Sequence, residues 1–366
     1  MLFYIKILKK IKKILIIIQR ANGDVLLSHS LINSLYKHYH QPQIDLLVND
    51  DTINLAALMP NINYIHTFSY KEKREKHWKQ EKKIIQKIFR KYDLSINLTA
   101  SDRSVIYSLL AGKKSISAIE KKSEKSWWKK IFLTDFYYFD TNKHILINNL
   151  EALNILNIYD EVDHNFPAAS EESINKVKYL LEKEKIKKFI IFHPSAQYDF
   201  KIYPKHLRDK LLLDLNSLEI PIIITGSENK LDLEIKKDLP NLKNIYDFIG
   251  KLSLEEYFAL SYLSLSYIGM DTLNMHIASV QNKRIFAIFG PTNLRMWSPW
   301  SNDLKIAATE NLPLQNYGKI TIFQSPLPCV ACGRAGCDDK NDRSECLFTI
   351  KPEVIFSEIN LFYRNA

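Results

Sequence analysis

Within residues 269–291, Asp271, Thr272 and His276 stand between two apolar runs, Ser264–Ile268 and Ile285–Phe289. The stretch reads as a strand end, a polar turn, a helix, a second strand and a Gly290-Pro291 turn. Met275, Ile277, Ala278 and Val280 recur at the spacing of a helix's buried side. A strand that feeds a helix N-terminus is a ready place for phosphate, because free backbone N–H groups and the helix dipole point at the anion. Asp271, Thr272 and His276 would add ribose and phosphate contacts from the same turn. A purely structural role fits them equally well, with Asp271 or Thr272 capping the helix and His276 satisfied in a core.

A second chemical signal lies near the C-terminus. All four cysteines of the chain fall in one segment, Cys329, Cys332, Cys337 and Cys346. Four thiolates at this spacing are able to hold zinc or iron tetrahedrally and to order a loop too short for its own core. Disulfides are a second outcome, disfavoured in a reducing compartment, and free thiols a third. The surrounding sequence does not read as a zinc ribbon, so a metal here would be structural.

The elements that must position these residues alternate between strand and helix. Ile14–Ile18 is a run of Ile and Leu suited to a buried parallel strand. It ends in the turn Gln19–Asp24, and a helix is expected over Val25–Tyr39. Further strands are expected at Ile44–Val48, Tyr64–Phe68 and Leu94–Leu98, with a charged helix over Lys71–Lys91. After a polar stretch at residues 163–172 the alternation restarts with helix Ser173–Lys185 and strand Phe189–Phe192. Helix Pro204–Leu218, strands Ile222–Thr225 and Ile245–Ile249, and helix Leu254–Leu263 lead into the segment described first. Such alternation predicts two parallel sheets, each with helices on both faces. In open α/β sheets ligands bind beyond the strand carboxyl ends. The polar turns Asn22–Asp24, His193–Lys201, Thr225–Glu228 and Gly269–Thr272 all fall at such ends.

At 366 residues, 46% of them hydrophobic, the chain is long enough for two domains with separate cores. Its nine glycines form neither a G-x-G-x-x-G loop nor a Walker loop, which argues against a Rossmann dehydrogenase and a P-loop NTPase. The net charge of +10 is uneven: residues 1–150 hold 26 Lys and Arg against 13 Asp and Glu. A basic half implies an anionic partner. No nucleic-acid module is legible, so nucleic acid is not expected to be that partner. No apolar run is long enough to span a membrane. The N-terminus lacks a signal-peptide cleavage site. Read as a helix, residues 2–13 place Lys6, Lys9, Lys10 and Lys13 opposite Tyr4, Ile7, Leu8 and Ile11. That is the pattern of a helix lying on an anionic membrane surface, and equally of one docked on the protein body.

In this order and spacing, Arg20–Leu27, His193–Ala196 with Lys201–Pro204, Thr225–Glu228, Gly250–Leu254, Asp271–His276 and Phe289–Thr292 followed by Trp297–Pro299 resemble glycosyltransferase family 9. These are the bacterial heptosyltransferases of the lipopolysaccharide inner core, and the resemblance runs over nearly the whole length. It implies the GT-B arrangement, with two Rossmann-like domains whose parallel sheets face across a cleft. It also implies inverting transfer from ADP-heptose without a catalytic metal. By matching position, Asp24 would be the catalytic base and Lys201 a point charge on the donor diphosphate. Ser195 and Thr225 would contact phosphates, Glu228 the nucleoside hydroxyls, and Asp271, Thr272 and His276 would complete the donor pocket. An N-cap role for Asp24 stays open beside the catalytic one. Two residues depart from the family pattern: Leu273 stands where glycine usually follows Asp-Thr, and Asn22 replaces an aliphatic residue before Gly-Asp.

These observations set the expectations. Residues 1–168 form an acceptor-binding domain and residues 169–350 a nucleotide-sugar domain that includes the cysteine cluster, with a final helix at residues 351–366 packing back on the first. The enzyme is cytoplasmic and peripheral on the inner-membrane face, and its partners are ADP-heptose, a phosphorylated core acceptor and the anionic membrane surface. The alternatives are another nucleotide sugar, a protein acceptor, or a non-catalytic surface-binding protein of the same fold.

Overall fold

A computed structural model describes residues 11–75, 78–121, 126–159, 167–340 and 343–364. The chain divides into two compact units, Met1–Pro167 and Ala168–Ala366.

The first unit is built on a six-stranded, wholly parallel sheet. Its strands are β1 (Lys13–Ile18), β2 (Gln43–Asn49), β3 (Tyr64–Phe68), β4 (Tyr92–Asn97), β5 (Gly112–Ile119) and β6 (Asp135–Tyr138), in the order β3-β2-β1-β4-β5-β6. Ile14 through Ile18 are all fully buried, as expected of a strand covered on both faces. Leu15 and Ile17 pack with Leu47, Phe68, Ile84 and Ile88 on one of those faces. β5 and β6 were not anticipated. β5 carries Lys113, Lys114, Ser115 and Ser117, a polar pattern whose inward serines are satisfied by bonds such as Asn97 Nδ2 to Ser117 Oγ at 2.8 Å.

Two expected helices are interrupted. The Val25–Tyr39 segment is two helices, Asn22–Leu26 and His29–His38. Ser28 Oγ donates to the Val25 carbonyl at 2.7 Å and His29 Nδ1 lies 2.9 Å from the Leu26 carbonyl. These side chains take over acceptors that a continuous helix would use for its backbone. The Lys71–Lys91 segment holds helices Tyr70–Glu75 and Lys79–Ile88, with Trp78 in the left-handed region at φ 61°. Of the two-faced helix expected at the N-terminus, residues 2–10 lie outside the described residues, and Lys13 opens β1.

The second unit has a seven-stranded sheet. Its strands are β7 (Ile190–His193), β8 (Ile222–Ile224), β9 (Ile245–Asp247), β10 (Ser266–Met270), β11 (Arg284–Phe289), β12 (Leu314–Tyr317) and β13 (Ile320–Gln324), in the order β12-β13-β11-β10-β7-β8-β9. The sheet is mixed rather than wholly parallel, because β12 and β13 form an antiparallel hairpin at one edge. Alternation along the strands divides the core into two layers. Ile190, Phe192, Ile222, Ile224, Phe286 and Ile288 enter one layer, and Ile191, Ile223, Ile285, Ala287 and Phe289 the other.

The final helix, Pro352–Arg364, was expected to return to the first unit. It belongs to the second: Ile355 and Ile359 are fully buried in the layer that holds Leu211, Leu212 and Leu215. An apolar stripe on a terminal helix says that the helix docks, not where. Among the described residues no helix is long and apolar enough to cross a membrane.

Candidate active site

In each sheet the chain reverses its direction of travel beside the strand from which it first steps outward. In the first unit β1, β2 and β3 step outward one way, and β4 returns to the other side of β1. In the second, β7, β8 and β9 step outward, and β10 returns beside β7. Loops at such reversals part from one another and leave a crevice beyond the carboxyl ends. The sequence-derived candidates fall at these two places.

In the first unit β1 runs into the turn that bears Asp24. Gln19 N–H donates to Thr99 Oγ1 at 3.0 Å, and Asn49 Nδ2 donates to the Arg20 carbonyl at 3.2 Å. The turn is therefore tied to the chain beyond β4 and to the end of β2. Arg103 Nε donates to Gln19 Oε1 at 3.3 Å, while its guanidinium lies 3.8 Å above the Phe68 ring. Ala21, not Asp24, holds the N-cap position, and the Asp24 carboxylate reaches back to the Ala21 N–H from the third helical position. Asp24 sits inside the first helical turn and is only 4% exposed. Arg20 Nε approaches Asp24 Oδ1 at 2.7 Å, yet Oδ1 has no aligned hydrogen-bond donor. Burial raises the Asp24 carboxyl from 3.8 to about 6, opposed by Arg20 and by backbone N–H groups. Such a group is ionised at neutral pH but far more basic than an ordinary aspartate, which is what a general base needs.

In the second unit β7 ends at His193 and β10 at Met270. Gly269 pairs with His193 in register, and a Cβ at Gly269 would lie 2.4 Å from the His193 carbonyl oxygen. Only glycine lets the strands approach this closely. Beyond them lies a polar floor. His193 Nδ1 is 2.9 Å from Asn274 Nδ2 and 3.1 Å from both Thr225 Oγ1 and the Thr225 carbonyl oxygen. Burial lowers the His193 imidazole to about 4, so it is neutral at physiological pH. Ser195 Oγ donates to Asp232 Oδ1, and Ser227 donates to Oδ2 through both its N–H and its hydroxyl. Glu228 is exposed, and its Cγ occupies the space a side chain at Gly250 would need, where φ is +74°.

Lys201 and Asp271 meet here, with Nζ 3.5 Å from Oδ2. Lys201 retains 27% side-chain exposure, so its charge is open to a ligand. Thr272 holds the N-cap position of helix Leu273–Val280 without a side-chain capping bond. Thr272 Oγ1 and His276 Nδ1 are both buried with no aligned partner. Burial, reinforced by the charge of Lys201, lowers His276 to about 4. The geometry thus gathers Lys201, Asp271, Thr272 and His276 around one helix N-terminus, and Ser195 and Thr225 around the neighbouring loops. Neutral imidazoles, hydroxyls, a helix terminus and one partly exposed ammonium suit a diphosphate.

Sequence reasoning passed over Arg103, Asn49, Asp232 and Asn274. Asn274 sits inside a quoted motif and was readable as polar at a helix start. Asp232 and Arg103 carry no such signal, because each acts through partners distant in the chain.

The cysteine expectation is overturned. Among the described residues no three His, Cys, Asp or Glu side chains form a set able to hold a metal ion. Cys329, Cys332 and Cys337 are exposed on a loop. Cys346 turns inward on the short helix Glu345–Phe348 and packs with Leu347 and Ile350. Burial, and next the neighbouring cysteines, raise the Cys346 thiol to about 11, as expected of a thiol packed among apolar side chains.

A family model described as glycosyltransferase family 9 (heptosyltransferase) matches residues 81–325. Lipopolysaccharide heptosyltransferase 3 of Escherichia coli is 25% identical over 292 residues, 78% of this chain and 85% of that protein. Among solved structures, the ADP-heptose lps heptosyltransferase II of E. coli superposes with a TM-score of 0.71 at 19% identity, over 97% of this chain and all of that one. The E. coli heptosyltransferase WaaC with ADP gives a TM-score of 0.69 at 12% identity, over 95% of this chain and 99% of that one. The two units share with these structures the GT-B fold of two Rossmann-like domains.

Proposed function

The chain belongs to glycosyltransferase family 9, and on that premise we propose that it transfers heptose from ADP-heptose, with inversion, to a sugar of the lipopolysaccharide inner core. The observation that carries the mechanism is Asp24, a buried carboxylate raised to about 6 at the first sheet's reversal point. In the proposed step an acceptor hydroxyl oxygen forms the bond to the anomeric carbon as the bond from that carbon to the diphosphate breaks. Asp24 takes the hydroxyl proton, and ADP leaves with the bonding pair. Lys201 meets the diphosphate as negative charge grows on it, and the N–H groups at Leu273–His276 add the helix terminus to the same task. Ser195 and Thr225 supply hydroxyls to the phosphates. Glu228, exposed beside Gly250, is assigned the nucleoside hydroxyls.

The acceptor's phosphates match the basic character of residues 1–150, and its lipid anchor places the reaction at a membrane surface, taken here as the cytoplasmic face. A second reading, a different nucleotide sugar, rests on Leu273 at the first position of the donor helix, where a bulkier residue than glycine stands. Both readings meet one experiment. The purified enzyme is offered ADP-heptose or other nucleotide sugars with a heptose-deficient core acceptor, and the product is read by mass spectrometry. A gain of one heptose only with ADP-heptose supports the proposal. Transfer of another sugar, with none from ADP-heptose, replaces it.

A further inference from the structure

At the opposite edge of the first sheet, where the strands begin, lies a cavity of about 220 Å³. It is walled by the first residues of β1, β2, β3 and β4 and by the end of helix Lys79–Ile88, so it is remote from the carboxyl-end loops that bear Asp24. Its volume falls below the range of roughly 300–1,000 Å³ typical of drug-sized ligands, which restricts it to small molecules.

Lys13, Lys87 and Lys91 line it, and the charges of Lys87 and Lys91 reach His66. All three side chains are exposed, and none is paired with a carboxylate among the described residues. Its floor is a relay of buried groups. Tyr92 Oη donates to Asp45 Oδ2 at 2.7 Å, and His66 Nε2 lies 2.9 Å from Tyr92 Oη. A phenol has one proton, and Tyr92 gives it to Asp45, so the His66 bond runs from Nε2–H to Oη. The other nitrogen, Nδ1, then carries a lone pair. His66 is 8% exposed, lines the cavity, and Nδ1 has no hydrogen-bond partner among the described residues. Burial keeps the ring neutral, helped by the charges of Lys87 and Lys91 and opposed by Asp45. The Tyr64 ring, half exposed and 4.8 Å from the His66 ring, supplies an apolar wall. An acceptor without a partner and three exposed lysines thus line the same cavity, a donor-seeking group beside anion-seeking ones. A bare anion would satisfy the lysines only; a ligand with both a hydroxyl and a phosphate satisfies both.

We infer that this cavity is a second binding site, for a small phosphate ester that carries a free hydroxyl, held by Lys13, Lys87 and Lys91 through its phosphate and by His66 Nδ1 through its hydroxyl. Sugar and polyol phosphates have this chemistry, and so does the phosphoglycerol headgroup of an anionic lipid. The site lies outside the glycosyl-transfer machinery and does not depend on the donor assignment.

The full-length enzyme is titrated with glycerol 3-phosphate by calorimetry, and in a separate arm by sedimentation with vesicles of phosphatidylcholine containing phosphatidylglycerol. The Lys87→Ala/Lys91→Ala variant is compared with Lys82→Ala/Lys83→Ala, which removes the same charge from exposed positions of the same helix. Both should fold and transfer sugar as the parent does. Saturable binding that weakens about tenfold or more in the first variant and less than threefold in the second supports the site. If it is seen with glycerol 3-phosphate the ligand is soluble, and if only with vesicles it is a headgroup. His66→Phe should weaken glycerol 3-phosphate more than inorganic phosphate if the hydroxyl contact is real. No binding in either arm, or equal loss in the two lysine variants, overturns the inference.

Discussion

Asp24→Asn should lower activity and raise stability together, and both magnitudes follow from the burial of one carboxyl. The folded protein raises this group from 3.8 to about 6. At about 1.36 kcal/mol per pH unit, holding it ionised costs the fold about 3 kcal/mol above pH 7. The raised value means that the protonated form is the one favoured by folding. Its contribution is fully present below about pH 4 and is lost as pH rises through 6. Asparagine has the same shape and never ionises, so the variant escapes that cost. The attraction of Arg20 is already contained in that net rise, so nothing further is subtracted for the lost ion pair. The gain is about 3 kcal/mol at pH 7.5, or roughly 6–12 °C in the melting temperature of a unit this size. Near pH 4 the gain should vanish. Turnover should fall about 10²–10⁴-fold, because the amide cannot take the acceptor's proton. In the parent, kcat/KM should bend downward below about pH 6. The assays are calorimetric melting at the two pH values and ADP release with a verified acceptor. Turnover within tenfold of the parent, or a lower melting temperature at pH 7.5, would refute the reasoning and leave Asp24 as an ordinary structural ion pair.

Lys201→Ala should weaken ADP binding by about tenfold or more and slow transfer as well, since one charge serves both bound and departing diphosphate. Its stability should stay within about 1 kcal/mol of the parent, because the 3.5 Å pair with Asp271 is partly exposed; unchanged calorimetric affinity would remove Lys201 from the donor site. Gly269→Ala should lose about 1–3 kcal/mol in urea denaturation, because the new Cβ meets a backbone oxygen that cannot rotate away. A near-neutral result would show that β7 and β10 separate more easily than their register implies.

Much of the fold was legible because a parallel sheet buried on both faces writes itself as apolar runs. Ile14–Ile18, Tyr64–Phe68 and Ile285–Phe289 were each found within a residue of their bounds. The polar strand β5 escaped because its serines are satisfied by neighbours that only the folded sheet brings near. The break at Ser28 and His29 escaped for a related reason. Apolar periodicity runs straight through it, and the competing side-chain bonds leave no mark on that pattern. At the site, the turns could be placed from the strand ends, but the bonds between them could not. The cysteines misled because spacing fixes their separation along the chain, whereas the helix Glu345–Phe348 decides which way Cys346 points.

The His193–Thr225–Asn274 contact joins three segments that are distant in sequence: the end of β7, the residue after β8 and the helix after β10. A change at His193 takes this neighbour from both Thr225 Oγ1 and Asn274 Nδ2 at once, so a single substitution there passes through a poorer protein before a second restores it. The floor should therefore vary among homologues as a block, with the three positions switching in concert. The exposed Glu228, free of that bond, is able to drift alone. On the proposed assignment, nucleoside preference is then free to diversify at Glu228 while the floor that would meet the phosphates is inherited whole.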